Sequence, residues 1–262
     1  MRRRFLTVSG DLTSEVASRL VIEEGGQLRH GSTGVRATVQ KTILPYTEGE
    51  RDGWYLITPP LVGTTDVTSV VNLLHNYYDL YYYDEPSAYW MNQENTANGF
   101  THLANGTGYL YANSEETLLA FPGEIRNGSS SLSVLLNYTE GLALKGFNLV
   151  GNPFVYNLTS YATVNVANGC YQINEDKSDF IVNEISEENP LKPTEAFFVK
   201  AIDEDASVTF NSGRNAKSNE GGSLSLEISF EGKLLDRLIV KKDGASLEKL
   251  SMNEQNQPKQ KD

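Results

Sequence analysis

The 262-residue chain carries a net charge of −12, so it offers no basic surface to release counterions from DNA or RNA, and a nucleic-acid partner is excluded. Hydrophobic residues at 39% suffice for a core, which excludes wholesale disorder, and no apolar run approaches the length of a membrane-spanning helix. A single cysteine, Cys170, excludes an intrachain disulfide framework and reads as a small buried apolar side chain.

The chain opens MRRRFLTVSG, which imitates the start of a signal peptide, but the apolar part stops at Thr7 and no h-region follows. If the protein is exported, its targeting segment is expected outside this sequence, which reads as a fragment of a longer protein. Residues 1–44 read as β-solenoid-like rungs: Leu6-Thr7-Val8 and Leu20-Val21-Ile22 each lead through a glycine turn to Leu12 and Leu28. Val35, Ala37 and Val39 then alternate with polar residues as a further strand. The polar stretch 45–52, PYTEGERD, reads as a linker.

From Gly53 to residue 214 the chain reads as an internally duplicated β-sandwich. GWYLITPPL at 53 returns as GFNLVGNPF at 146, an offset of 93 (146 − 53). Leu80–Glu85 matches Cys170–Glu175, Gly108–Ala112 matches Ala196–Lys200, and Leu119–Phe121 matches Val208–Phe210, at offsets of about 90 that drift only in polar loops. Strands are short and turns frequent, and only 67–76 suggests a helical turn. The fold class is therefore all-β: a jelly-roll-like two-sheet sandwich, its two copies facing each other across one core. Leu149 and Val150 are apolar on opposite faces, which places GFNLVGNPF as a central buried strand ended by Pro153. Residues 222–250, with Leu224, Leu226, Ile228 and Phe230 in strict alternation, read as a partial β domain, and 251–262 as a disordered tail.

GFNLVGNPF followed by Glu195-Ala196-Phe197-Phe198-Val199-Lys200-Ala201 resembles modules near the C-termini of large surface and secreted proteins of Bacteroidota. The resemblance runs from about Leu20 to Leu250 and implies an exported, cell-surface, adhesin-like protein without a single assigned activity. The chain departs from that pattern at its C-terminal end, where the family continues through more strands.

The run Tyr77-Tyr78-Asp79-Leu80-Tyr81-Tyr82-Tyr83, with Tyr89 and Trp90, invites a carbohydrate-platform reading, since sugars stack on exposed aromatic faces. Period-2 logic and the second copy assign Tyr81, Tyr83 and Trp90 to the core and leave Tyr78, Tyr82 and Tyr89 as the platform, with Asp84 as hydroxyl partner. Acidic clusters at Asn174-Glu175-Asp176 with Asp179, and at Asp203-Glu204-Asp205, offer calcium-type oxygens without the EF-hand glycine, and read as turn acids. His30, His75 and His102 are isolated, and no nucleophile elbow or phosphate loop occurs. The expectation is a non-catalytic structural or interaction module at the cell surface, with no metal or cofactor. Its partner would be a glycan or a host or matrix protein. The alternative is a carbohydrate-binding module using the tyrosines.

Overall fold

The computed structural model describes residues 4–47, 52–141, 145–175, 177 and 179–211, together with the backbone of two further strands at 223–230 and 233–241. In chain order the strands are β1 (Arg4–Val8), β2 (Val21–Ile22), β3 (Gly26–His30), β4 (Arg36–Ile43), β5 (Tyr55–Ile57), β6 (Thr64–Asp66) and β7 (Tyr78–Asp84). There follow β8 (Tyr89–Asn92), β9 (His102–Ala104), β10 (Tyr109–Asn113), β11 (Thr117–Glu124), β12 (Leu132–Leu135) and β13 (Phe147–Gly151). The remainder are β14 (Ala162–Val164), β15 (Cys170–Ile173), β16 (Phe180–Asn183), β17 (Ala196–Lys200), β18 (Ser207–Phe210), β19 (Ser223–Phe230) and β20 (Lys233–Lys241). Among the described residues helix is confined to short 3-10 turns, one of them at Val67–Ser69, where the Asp66 side chain accepts from the Thr68 N–H. The protein is all-β, with sheets of mixed topology.

Why these strands stack as they do follows from which faces are apolar. β4 and β11 pair antiparallel over eight residues and, with β2, form a layer over the sheet ordered β5-β10-β7-β8. Between them lie Val39, Ile43, Ile57, Leu80, Tyr109, Tyr111, Leu119 and Phe121. Likewise the layer β12-β18-β14 covers the sheet β13-β17-β15-β16, enclosing Val150, Phe154, Cys170, Phe197, Val199, Val208 and Phe210. A third, smaller cluster of Leu56, Leu149, Ala196 and Phe198 forms where the outer faces of the two four-stranded sheets meet. Each fully buried side chain of this size contributes about 1.5–3 kcal/mol, so the two inner cores carry most of the stability and the third cluster joins them.

The two four-stranded sheets share strand order and register. Leu56 pairs with Leu110 and Leu110 with Tyr81; in the second sheet Leu149 pairs with Phe198 and Phe198 with Tyr171. Tyr83 opposite Trp90 has its counterpart in Ile173 opposite Phe180. The match extends outward: Val39 opposite Phe121 corresponds to Leu132 opposite Phe210, again at an offset of 93 (132 − 39). Contacts at the junction occur twice, with the halves exchanged. Ile57 bridges Glu195 as Val150 bridges Thr107. The Thr58 N–H donates to the Thr194 carbonyl at 3.0 Å as the Gly151 N–H donates to that of Gly106 at 2.9 Å. The contacts across the junction are thus self-complementary, each side giving and receiving the same bonds.

Four expectations are corrected. The matching registers begin at β4, and Val39 and Ile43 share one cluster with Ile57 and Leu80, so the side chains on either side of residue 44 pack in one core. The halves do not face each other across one core; each encloses its own, and they meet back to back. β13 is not central but stands at the end of its sheet order. It is apolar on both faces because Val150 points into the second core while Leu149 points into the junction. At the N-terminus β1 runs parallel to β3 and β2 parallel to β4, so Leu6 lies opposite Leu28, and Ile22 opposite Val39, rather than Leu6 corresponding to Leu20.

β19 pairs antiparallel with β1, Val8 opposite Leu226, and β20 continues the same sheet. The first three residues, the side chains of the 222–250 stretch and the 251–262 tail lie outside the described residues.

Candidate functional site

The four residues expected to form a platform lie on one face of the β7–β8 pair, where Asp84 stands opposite Tyr89, but they differ in burial. Tyr78 and Tyr82 point with Leu80 toward the first core and pack against it, and Tyr82 meets the Phe100 ring edge-on at 5.1 Å. The Tyr78 hydroxyl donates to Gln93 Oε1 at 2.6 Å, and burial pushes its ionisation above the ordinary tyrosine value. Asp84 accepts from the Ser87 hydroxyl at 2.6 Å in the β7–β8 turn. Tyr89 is exposed, at 69%. Tyr78 and Tyr82 are thus corrected from exposed to half-buried: period 2 separated the faces of β7, but both faces are covered, one by the first core and the other by the junction.

The same geometry brings other aromatic side chains to the surface. Trp90, expected in the core, is 37% exposed, and Phe180 is 43% exposed. They occupy equivalent places on β8 and β16, the last strands of their sheets, and both rings stand edge-on to Phe198, at 5.8 and 5.7 Å. Between them opens a groove of about 240 Å³, floored by Leu110 and Ile173 and walled by Trp54, Trp90 and Phe180. Trp54 is held by the turn before β5. Gly53 there has φ +73°, and a Cβ would meet Tyr46, so the chain enters the strand at an angle closed to other residues.

The groove owes its existence to a difference between the halves. Leu110 and Ile173 occupy the places that Phe198 and Tyr83 occupy in the other half. On that side Phe198 is ringed by Tyr83 at 5.6 Å and Phe147 at 6.4 Å. Two smaller aliphatic side chains leave the corresponding space open.

Lys177 and Asp179 supply the charged part of the lining. The Lys177 Nζ sits 5.4 Å above the Tyr55 ring, a cation–π arrangement. Its partial burial lowers its basicity, with Glu195 opposing and Lys41 and Lys192 adding to the fall. The Asp179 carboxylate accepts from the Phe180 N–H at 2.7 Å, while its own N–H donates to Asn174 Oδ1 at 3.1 Å. On the β7 side the Tyr81 hydroxyl donates to Asp79 at 3.0 Å, and its ionisation is pushed up to about 12 by burial and by that carboxylate. The arrangement offers aromatic faces, a cation and an anion around a ring-sized space, which is the composition of a binding site.

Other candidates have structural roles. Asn152, in the Gly-Asn-Pro turn, is fully buried, its amide donating to the Tyr156 and Leu191 carbonyls and its oxygen accepting from the Phe154 N–H. Cys170 is buried in the second core, and burial pushes its thiol up to about 11, with the Tyr161 hydrogen bond opposing. Among the described residues no group of three or more His, Cys, Asp or Glu side chains is arranged to hold a metal ion, and no helix is long and apolar enough to cross a membrane.

Sequence reasoning missed the groove because it depends on how the two halves meet. The available signal was the mismatch between copies: Leu110 against Phe198 and Ile173 against Tyr83. Comparison with protein-family models, with curated protein sequences and with solved structures finds no match.

Proposed function

We propose that the chain is a non-catalytic interaction module of an exported bacterial surface protein, built by duplication of a jelly-roll-like sandwich behind a short solenoid-like N-terminal part. The observation that carries this reading is the junction. Two halves of matching order and register are locked back to back, and their terminal strands β8 and β16 expose Trp90, Phe180 and Val182 on the junction side. Exposed apolar side chains gathered on neighbouring strands mark a surface that meets a partner. Support for the exported, adhesin-like context comes from the resemblance of GFNLVGNPF and EAFFVKA to surface proteins of Bacteroidota. The high negative charge keeps the module apart from polyanions and directs it to neutral glycans or proteins.

The test is retention of the purified chain on immobilised glycans and matrix proteins, with the bound material recovered and analysed for change. The reading expects saturable retention with the partner recovered intact. Cleavage or chemical modification of the partner contradicts it.

A further inference from the structure

We infer that the groove between β8 and β16 is a binding site for a neutral sugar ring. The inference rests on the reading of the chain as an interaction module and names the ligand class of that surface. Trp54, Trp90 and Phe180 wall a space of about 240 Å³, below the roughly 300–1,000 Å³ that encloses a drug-sized ligand, which suits one ring of a longer chain and not an extended peptide. A pyranose has one face of C–H bonds and a perimeter of hydroxyls. The first needs flat aromatic carbon, which the indoles and the phenyl provide; the second needs both donors and acceptors. Asp179 lines the space as an acceptor, and the Lys177 ammonium, 5.4 Å from the Tyr55 ring, is the donor beside it. Because the two charges offset one another and the chain bears −12 overall, the ligand is a neutral glycan and not a uronate or sulfated one. The floor sets the site's depth: Leu110 and Ile173 stand where the other half carries the larger Phe198 and Tyr83, whose rings meet at 5.6 Å.

The chain's two tryptophans both line this groove, so their emission reports occupancy directly. The experiment titrates the whole chain with cellohexaose, xylohexaose, mannohexaose and chitohexaose, with hexagalacturonate as the charged control. A Leu110→Phe variant places the other half's residue in the floor. The expected result is a saturable emission change with at least one neutral hexasaccharide, reduced about tenfold or more in affinity by Leu110→Phe, with an unchanged unfolding midpoint. Phe180→Ala, at an exposed position, is the second variant and weakens binding by about tenfold through loss of a stacking face. The proposal is overturned if no neutral sugar shifts the emission, if Leu110→Phe binds as tightly as the parent, or if only hexagalacturonate binds. Retention of a matrix protein by a chain that binds no sugar leaves the module reading standing while removing the groove. Shortening of the bound sugar overturns the module reading while still placing sugar in the groove.

Discussion

Glu85 is a buried carboxylate whose partners are distant in sequence. It accepts from the Thr139 N–H at 2.8 Å, the Thr139 hydroxyl at 2.9 Å and the Gly146 N–H at 2.6 Å, tying the β7–β8 turn of one half to the start of β13 in the other. Truncation would leave those donors unsatisfied. Glu85→Ala is expected to lower stability by about 2–4 kcal/mol in urea unfolding, and Glu85→Gln, which keeps one acceptor oxygen, by less. Nothing in the sequence distinguishes Glu85 from the neighbouring acids, because its role depends on a loop more than fifty residues away. His30 is 1% exposed, with neither ring nitrogen in a well-formed hydrogen bond, and burial holds it below the ordinary imidazole value of 6.5 against a smaller opposing effect of Ser32. A depressed pKa means that the unfolded chain binds a proton before the folded one does. Stability is therefore intact above about pH 6.5 and falls as pH drops below it. Midpoint-against-pH curves of the parent and of His30→Leu are expected to differ in slope on the acid side and to run parallel above pH 7.

At the scale of strands, close approach at the junction is set by glycines. A Cβ on Gly108 would lie 2.6 Å from Leu149 Cγ and 2.7 Å from the Ala196 Cβ, and one on Gly151 would collide with Thr58. Gly108→Ala is expected to cost about 1–3 kcal/mol by forcing the two sheets apart. Gly31→Ala, where a Cβ meets nothing within 4 Å, is the neutral control. Differential scanning calorimetry of the two variants checks this. Much at this scale was legible in the chain itself. Leu56, Leu110 and Tyr81 hold the same places in their sheet as Leu149, Phe198 and Tyr171 in theirs, the residues that the sequence offsets set side by side. The extension of the repeat to β4 was not legible. Val39 and Leu132 are apolar in both copies, but Arg36–Ile43 and Leu132–Leu135 differ in length and in most polar residues. The edge position of β13 was hidden too, since burial on both faces looks the same whether the cover is a neighbouring layer or a second half.

For the whole molecule, the junction is the centre: two cores joined by Leu56, Leu149, Ala196 and Phe198, by paired backbone bridges, and by Glu85 across the loop. The groove exists only while the halves are joined, because Trp54, Trp90 and Leu110 come from one half and Ile173, Lys177, Asp179 and Phe180 from the other. An all-β class was readable from short alternating runs and frequent glycine turns. The back-to-back arrangement was not, because it is decided by the outer faces of two sheets whose apolar content, including Tyr83, Phe147 and Tyr171, imitates ordinary core. The most direct measurement is equilibrium unfolding in urea, followed in parallel by far-ultraviolet circular dichroism and by tryptophan emission, since both tryptophans stand at the junction. The account predicts that the two signals trace one superimposable transition. A tryptophan change at lower urea than the loss of strand signal would mean that the halves part before they unfold, and would contradict it.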